Sequence, residues 1–152
     1  MTPVPEVPEA AGTPDAPETP LRRPIPVPTP LSAPFWQGCA EGELRYQECE
    51  DCGRAIFKPQ DFCPNCLGIR LTWRESSGTG EVYSYSVVWR PQTPAFDVPY
   101  VVAIVELAEG YQMLTNVVNC EPDAVYCGMP VSVVFAPVAD DIALPFFAPS
   151  SA

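Results

Sequence analysis

Cys49-Glu50-Asp51-Cys52-Gly53 and Cys63-Pro64-Asn65-Cys66 form a C-x2-C-x10-C-x2-C pattern. A C-x2-C pair at a tight backbone turn aims two sulfurs at one point. Two such knuckles, one at each end of a short hairpin, supply the four thiolates of a closed tetrahedral site. Gly53 fits the first knuckle, where the chain must reverse with positive φ, and Pro64 stiffens the second. The doubled motif predicts one structural zinc held by Cys49, Cys52, Cys63 and Cys66. Iron in a rubredoxin-like site is the alternative metal. Two disulfides or four unrelated thiols are the plainer readings that the spacing disfavours.

Working outward, the N-terminal side is dominated by proline: 11 of the 21 prolines lie in the first 34 residues. Proline fixes φ and removes a donor, so neither helix nor sheet propagates there. Residues 1–31 are expected to be a disordered, polyproline-rich linker. Residues 32–69 are expected to hold a short helix followed by the zinc ribbon. Ser32 can cap that helix, Phe35, Trp36 and Cys39 share a side, and Gly42 stops it. Leu44 to Gln47 leads as a strand into the first knuckle, and Arg54 to Lys58 leads away from it.

On the C-terminal side the pattern changes to period two. Leu71 to Ser76 opens a predicted barrel spanning residues 70–148. In Glu81 to Arg90, the residues Tyr83, Tyr85, Val87 and Trp89 alternate with Val82, Ser84, Ser86 and Val88. Tyr100 to Leu107 is apolar enough to be buried on both faces. Tyr111 to Val118, Val131 to Val138 and a short Leu144 to Phe147 follow. No long helix interrupts this run. The fold class expected is mainly β: a short N-terminal helix, a four-cysteine ribbon and a five-stranded OB-like barrel, with a sandwich as the alternative.

Composition limits the chemistry. The chain carries 8 basic and 19 acidic residues, a net charge of −11, and no histidine. A histidine-based triad or general base within this chain is therefore excluded. Nucleic-acid binding needs Lys and Arg to replace counterions along phosphates, and no basic run exists here. A zinc-ribbon/OB nucleic-acid module is thus a minor alternative, and no nucleic-acid partner is expected. Cys39, Cys120 and Cys127 lack an obvious basic neighbour and suit buried free thiols. Glu106, Glu109 and the Asp140-Asp141 pair are carboxylates of the solvated kind. No apolar run reaches membrane-spanning length and no secretory n-region or h-region is visible, so a cytoplasmic location without a membrane partner is expected.

The order helix, ribbon, barrel resembles one family, the domain of unknown function 35: a rubredoxin-like zinc ribbon joined to an acyl-CoA-associated OB fold. The resemblance is carried by Phe35-Trp36, Gln47-Glu48-Cys49, Cys52-Gly53, Phe57, Cys63-Pro64-Asn65-Cys66, Trp73 and Ser77-Gly78-Thr79-Gly80. It continues through Val82-Tyr83-Ser84-Tyr85, Pro99-Tyr100-Val101-Val102, Val105-Glu106-Leu107, Glu109-Gly110, Thr115-Asn116-Val117-Val118 and Gly128-Met129-Pro130-Val131. It implies a companion of a thiolase-fold enzyme rather than an enzyme in its own right. The implied partner is a lipid-transfer-protein-like aldolase that cleaves steroid side chains as CoA thioesters, in a heterotetramer around a partner dimer. An acetoacetyl-CoA thiolase or acyltransferase partner is the alternative. A MaoC-like hydratase upstream of the linker also fits the resemblance.

The family's segment after the hairpin often carries Pro-Arg, and here it reads Pro59-Gln60. A role on a coenzyme A phosphate would fall to Arg54 or Lys58. Phe35, Trp36, Tyr85, Trp89 and Phe96, with Phe146 and Phe147, supply more aromatic surface than so small a barrel buries easily. The first five are the candidate interface.

Overall fold

A computed structural model describes residues 23–150. The linker expected over residues 1–31 thus falls, for residues 1–22, outside the described residues. The elements in chain order are helix α1 (Ala33–Glu41) and strands β1 (Arg45–Cys49), β2 (Ala55–Ile56), β3 (Leu71–Glu75) and β4 (Thr79–Val88). They continue with β5 (Tyr100–Leu107), β6 (Gln112–Val117), a single 3-10 turn at Pro122–Ala124, β7 (Pro130–Ala139) and β8 (Ile142–Pro149). One sheet runs β2-β1-β3, and the other five strands close into a barrel in the order β4-β5-β6-β8-β7. The expected class, mainly β with one short helix and a five-stranded barrel, is the observed one.

Helix α1 starts one residue after Ser32, whose hydroxyl accepts from the Thr29 N–H at 2.9 Å and makes no cap bond to the helix. The cap expected of Ser32 is therefore replaced by a turn that steers the chain into the helix. Gly42 ends α1 in the left-handed conformation, as its position predicts. Phe35 and Cys39 face inward from the helix and join the barrel core.

The strand Leu71–Glu75 pairs with β1 over five positions, from Arg45↔Glu75 to Cys49↔Leu71. It completes the ribbon sheet instead of opening the barrel. The barrel's fifth strand is β8, which runs eight residues rather than the short stretch expected. Pro145 is compatible with that length because β8 pairs along one edge with β7 and meets β6 at a single position, Val117↔Phe147. A missing N–H is tolerated on an edge that needs no donor. The Pro145 carbonyl there accepts from Thr115 Oγ1 at 3.0 Å.

In β5, Val101, Ala103, Val105 and Leu107 are buried, whereas Val102 and Ile104 are half-buried and Glu106 is exposed. Burial on both faces, expected of this strand, does not occur because the outer wall of the barrel faces solvent. Close approach of strands is bought by glycine: a Cβ on Gly80 would stand 2.2 Å from the Glu106 carbonyl oxygen. Phe147 and Val131 fill the centre with no exposed surface.

Candidate metal centre and partner-binding surface

The ribbon brings Cys49, Cys52, Cys63 and Cys66 together so that all four Sγ atoms lie within 4.8 Å of one another. Cys49 Sγ is 3.6 Å from Cys66 Sγ, and Cys52 Sγ is 3.6 Å from Cys63 Sγ. These separations exclude disulfides, whose sulfurs sit about 2.0 Å apart. They match the edge of a tetrahedron with Zn–S bonds of about 2.3 Å, which is roughly 3.8 Å. The donor set therefore fits one zinc, and four thiolates leave no position open for water or substrate.

Each knuckle is held by its own backbone. The Gly53 N–H donates to Cys49 O at 2.8 Å, and the Leu67 N–H donates to Cys63 O at 2.9 Å. Gly53 adopts φ +71, as its place after Cys52 requires. The Arg54 backbone N–H and the Asn65 side-chain amide hold the Cys52 thiol down at about 6. Cys66 gains a Gly68 backbone N–H that favours its thiolate, yet the crowd of Cys49, Cys52 and Cys63 pushes it up to about 12. Four sulfurs this close do not ionise together without a cation among them. Arg70 clamps the first knuckle through Asp51, and its carbonyl accepts from the Glu50 N–H at 3.0 Å.

An aromatic ladder ties the ribbon to its neighbours. Trp36 meets Phe35 edge-on at 5.0 Å, Phe35 meets Phe57 at 5.6 Å, and Phe57 stacks flat on Tyr111 at 5.6 Å. Tyr46 closes the row against Tyr111 at 5.3 Å. The ladder thus runs from α1 through the ribbon to the turn between β5 and β6. The sequence reading missed it, because Phe57 and Tyr111 lie far apart in the chain and in different patterns. Phe35, expected at the interface, is 7% exposed and braces this ladder from within.

Arg54 and Lys58 line one cleft of about 450 Å³ between β2 and the β5–β6 turn, with Gln60, Glu106, Tyr111 and Gln112. Among the described residues neither cation makes an ion pair. Of the three thiols expected to be buried, Cys39 is buried and Cys120 half-buried, whereas Cys127 is exposed because it sits in the loop ahead of β7. Burial pushes Cys39 up to about 12 and also raises Cys120, so both stay protonated.

A bulge at Tyr83 breaks the alternation of β4. Val82 stands opposite Val105 and Ser84 opposite Ile104, so Tyr83 has no partner across the ladder. After the bulge, Tyr85 and Val87 take the core-side register opposite Ala103 and Val101. Val87 packs on the core, but Tyr85 keeps 40% of its surface because pairing of β4 with β7 ends at Glu81. Tyr83 and Trp89 are 59% and 63% exposed, and Tyr126, in the loop whose Gly128 N–H donates to the Val82 carbonyl, is exposed as well. Trp36 is half-buried, and Phe96 is half-buried in a stack on Tyr100 at 6.0 Å. Phe62, Leu67 and Ile69, at the second knuckle, form a further exposed apolar group that no sequence periodicity revealed. Among the described residues no helix is long and apolar enough to cross a membrane.

Comparison with known proteins places this architecture. Residues 36–70 match the model of the ChsH2 rubredoxin-like zinc ribbon domain, and residues 73–136 match that of the ChsH2 C-terminal OB-fold domain. A DUF35 domain-containing scaffold protein of Methanocaldococcus jannaschii is 41% identical over 97 residues, covering 61% of this chain and 67% of that protein. The 3-oxo-4,17-pregnadiene-20-carboxyl-CoA hydratase alpha subunit of Mycobacterium tuberculosis is 35% identical over 106 residues, covering 70% of this chain and 34% of the subunit. A probable enoyl-CoA hydratase alpha subunit of Thermomonospora curvata is 39% identical over 117 residues, covering 76% of this chain. The chain spans 37% and 34% of the length of these two hydratase subunits. Among solved structures, a chain of the Ltp2-ChsH2(DUF35) aldolase superposes with a TM-score of 0.75 at 37% identity, covering 82% of this chain and 98% of that one. With a four-cysteine zinc ribbon, a closed barrel and relatives of this extent, the chain belongs to the DUF35 family and has the ChsH2 type of zinc ribbon and OB fold.

Proposed function

We propose that this chain is the non-catalytic accessory domain of a thiolase-fold, lipid-transfer-protein-like aldolase acting on CoA thioesters. The observation that carries the reading is its likeness, over 98% of that chain, to a chain of the Ltp2-ChsH2(DUF35) aldolase. The site chemistry agrees. The metal centre has no open position, the chain has no histidine, and burial raises the Cys39 thiol well above its ordinary value. The residues of this chain bind and position, while carbon–carbon bond cleavage belongs to the partner.

The reading extends to a steroid side-chain acyl-CoA as substrate, a heterotetramer around a partner dimer, a MaoC-like hydratase upstream of the linker, and a cytoplasmic setting. The docking surface is built on the exposed rings of Tyr83, Tyr85 and Trp89, with the half-buried Trp36 and Phe96 as further anchors. Exposed aromatics of this kind are the usual anchors of an interface. Beyond Val82 the second edge of β4 has no backbone partner among the described residues, which leaves it open to an added strand. We assign to Arg54 and Lys58, which line the cleft beside β2, the binding of a coenzyme A phosphate carried by the partner.

Co-expression with an Ltp2-type aldolase tests the reading. The expected result is a stable co-purifying complex whose retro-aldol turnover exceeds that of the aldolase alone. Trp89→Ala should weaken the complex by tenfold or more, about 1.4 kcal/mol, without changing the melting temperature of the free chain. Arg54→Ala with Lys58→Ala should raise KM for the acyl-CoA in the intact complex and leave assembly unchanged. Co-purification with an acetoacetyl-CoA thiolase or acyltransferase in place of the aldolase would redirect the assignment. Turnover by the isolated chain would overturn it.

A further inference from the structure

Residues 23–30 read as a spacer by composition, yet they are not detached from the barrel. Arg23 Nε donates to the Ala95 carbonyl at 3.2 Å, and its guanidinium carbon stands 5.0 Å from the centroid of the Phe96 ring. That ring is itself stacked on Tyr100. At the other end, the Thr29 carbonyl accepts from the Ser32 and Ala33 N–H groups at 3.0 and 2.8 Å, which turns the chain into α1. Between these anchors Pro26 is the one residue of 23–30 that is not exposed, while Val27 is 86% exposed. A polyproline helix has three residues per turn. Positions 23, 26 and 29 therefore fall on one side, which carries the Arg23 contacts, the half-buried Pro26 and the Thr29 turn.

We propose that residues 23–30 are a docked strap, latched by Arg23 on the β4–β5 loop, that sets where the preceding chain leaves the domain. Arg23 lies beside Val118 and Phe146, and Pro28 lies beside Trp36 and Ile142. The strap therefore follows β8 in the opposite direction, along the seam where β6 and β8 share one paired position. Proline suits that place on two counts. The conformation is preformed, so docking orders little that was free. The missing N–H groups leave no donor unpaired and prevent a further strand from adding. The strap thus ends at a fixed point next to Phe96. This inference does not depend on which enzyme the domain accompanies.

Backbone ¹⁵N relaxation and amide exchange on the full chain test it. The amides of Ile25, Val27 and Thr29 should show barrel-like order, with S² of about 0.8. Arg23→Ala should lower those values and speed exchange of the Phe96 amide, which donates to Thr93 O, by about two- to fivefold. Arg23→Lys should fall between, since lysine keeps the charge and loses the planar fork. Phe96→Ala, which leaves Arg23 in place but removes its platform, should release the strap as Arg23→Ala does. Order parameters below about 0.6 in the unmodified chain would overturn the proposal. So would an Arg23→Ala chain in which either readout stays unchanged.

Discussion

The ribbon and the barrel solve the same problem by opposite means. In the ribbon the buried apolar cluster is Cys49, Ile56 and Cys63, with Leu71 packed against it, so two of its members are metal ligands. The barrel, with α1 and Tyr46, shares a continuous cluster that includes Val82, Val101, Val105, Val131 and Phe147. Burial of that kind contributes roughly 1.5–3 kcal/mol for each large apolar side chain. A ribbon so small cannot balance chain entropy by burial, and the binding free energy of its metal becomes its folding free energy. One polypeptide thus contains a region whose stability depends on zinc and thiolate chemistry and a region whose stability depends on area removed from water.

The largest effect should come from breaking the ribbon. Cys63→Ser, or chelation, should abolish the one-to-one zinc stoichiometry and strip amide protection from residues 45–75. Protection over β5 and β8 should persist, and hydrogen exchange with elemental analysis would check both. Phe147→Ala should do the converse, costing about 3–5 kcal/mol in urea unfolding while the zinc content stays at one per chain. If the barrel unfolds together with the demetallated ribbon, the two regions are a single cooperative unit and the contrast fails.

A smaller effect sharpens the join between them. The Tyr111 hydroxyl is buried without a hydrogen-bond partner, and the nearby Ser76 hydroxyl donates instead to Glu109 at 2.9 Å. Tyr111→Phe keeps the stack on Phe57 and removes an unsatisfied polar atom, so it should raise stability by about 1 kcal/mol. A loss of stability in a denaturant titration would mean that the hydroxyl, and not the ring alone, holds ribbon to barrel.

The smallest effect concerns pH. Partial burial works to raise the Glu109 carboxyl, but the Ser77 backbone N–H and the Ser76 hydroxyl outweigh it and hold the group below its ordinary 4.5. A carboxyl depressed in the folded state contributes stability above its unfolded pKa, and that contribution is lost as pH falls through the folded value. Unfolding free energy should therefore decline in acid below about pH 4.5, and Glu109→Gln should flatten that limb. Because the group is only partly buried and its interactions are screened by solvent, the change should be well under 1 kcal/mol. An unchanged acid limb in the variant would remove Glu109 from the account.

Much of this architecture can be read before any coordinates are seen. The four cysteines announce themselves because C-x2-C spacing is a local constraint, set by the reach of two side chains across one turn. The apolar run of β5 marks a strand just as locally, although burial of only one of its faces was decided by the closed barrel. The misreadings share a cause, which is that strand pairing is not a local property. Leu71–Glu75 has the pattern of a barrel strand, but its neighbour is β1. Tyr83 to Trp89 alternate as a single face until an unpaired residue shifts the register. Phe35 and Phe146 look alike in the sequence, yet one is packed in the core and the other is half-exposed.

What the sequence determined by itself was therefore chemistry and class. It specified a four-thiolate metal site, a chain without histidine, an acidic surface and a small β barrel behind a proline-rich lead. Those follow from residue types and short spacings. The tertiary structure decided which aromatics face outward, that Phe57 and Tyr111 join ribbon to barrel, and that Arg23 rests on Phe96. Each of these depends on the register of segments distant in the chain. A register is selected by the packing of the whole, because shifting a strand by one residue moves every side chain to the opposite face.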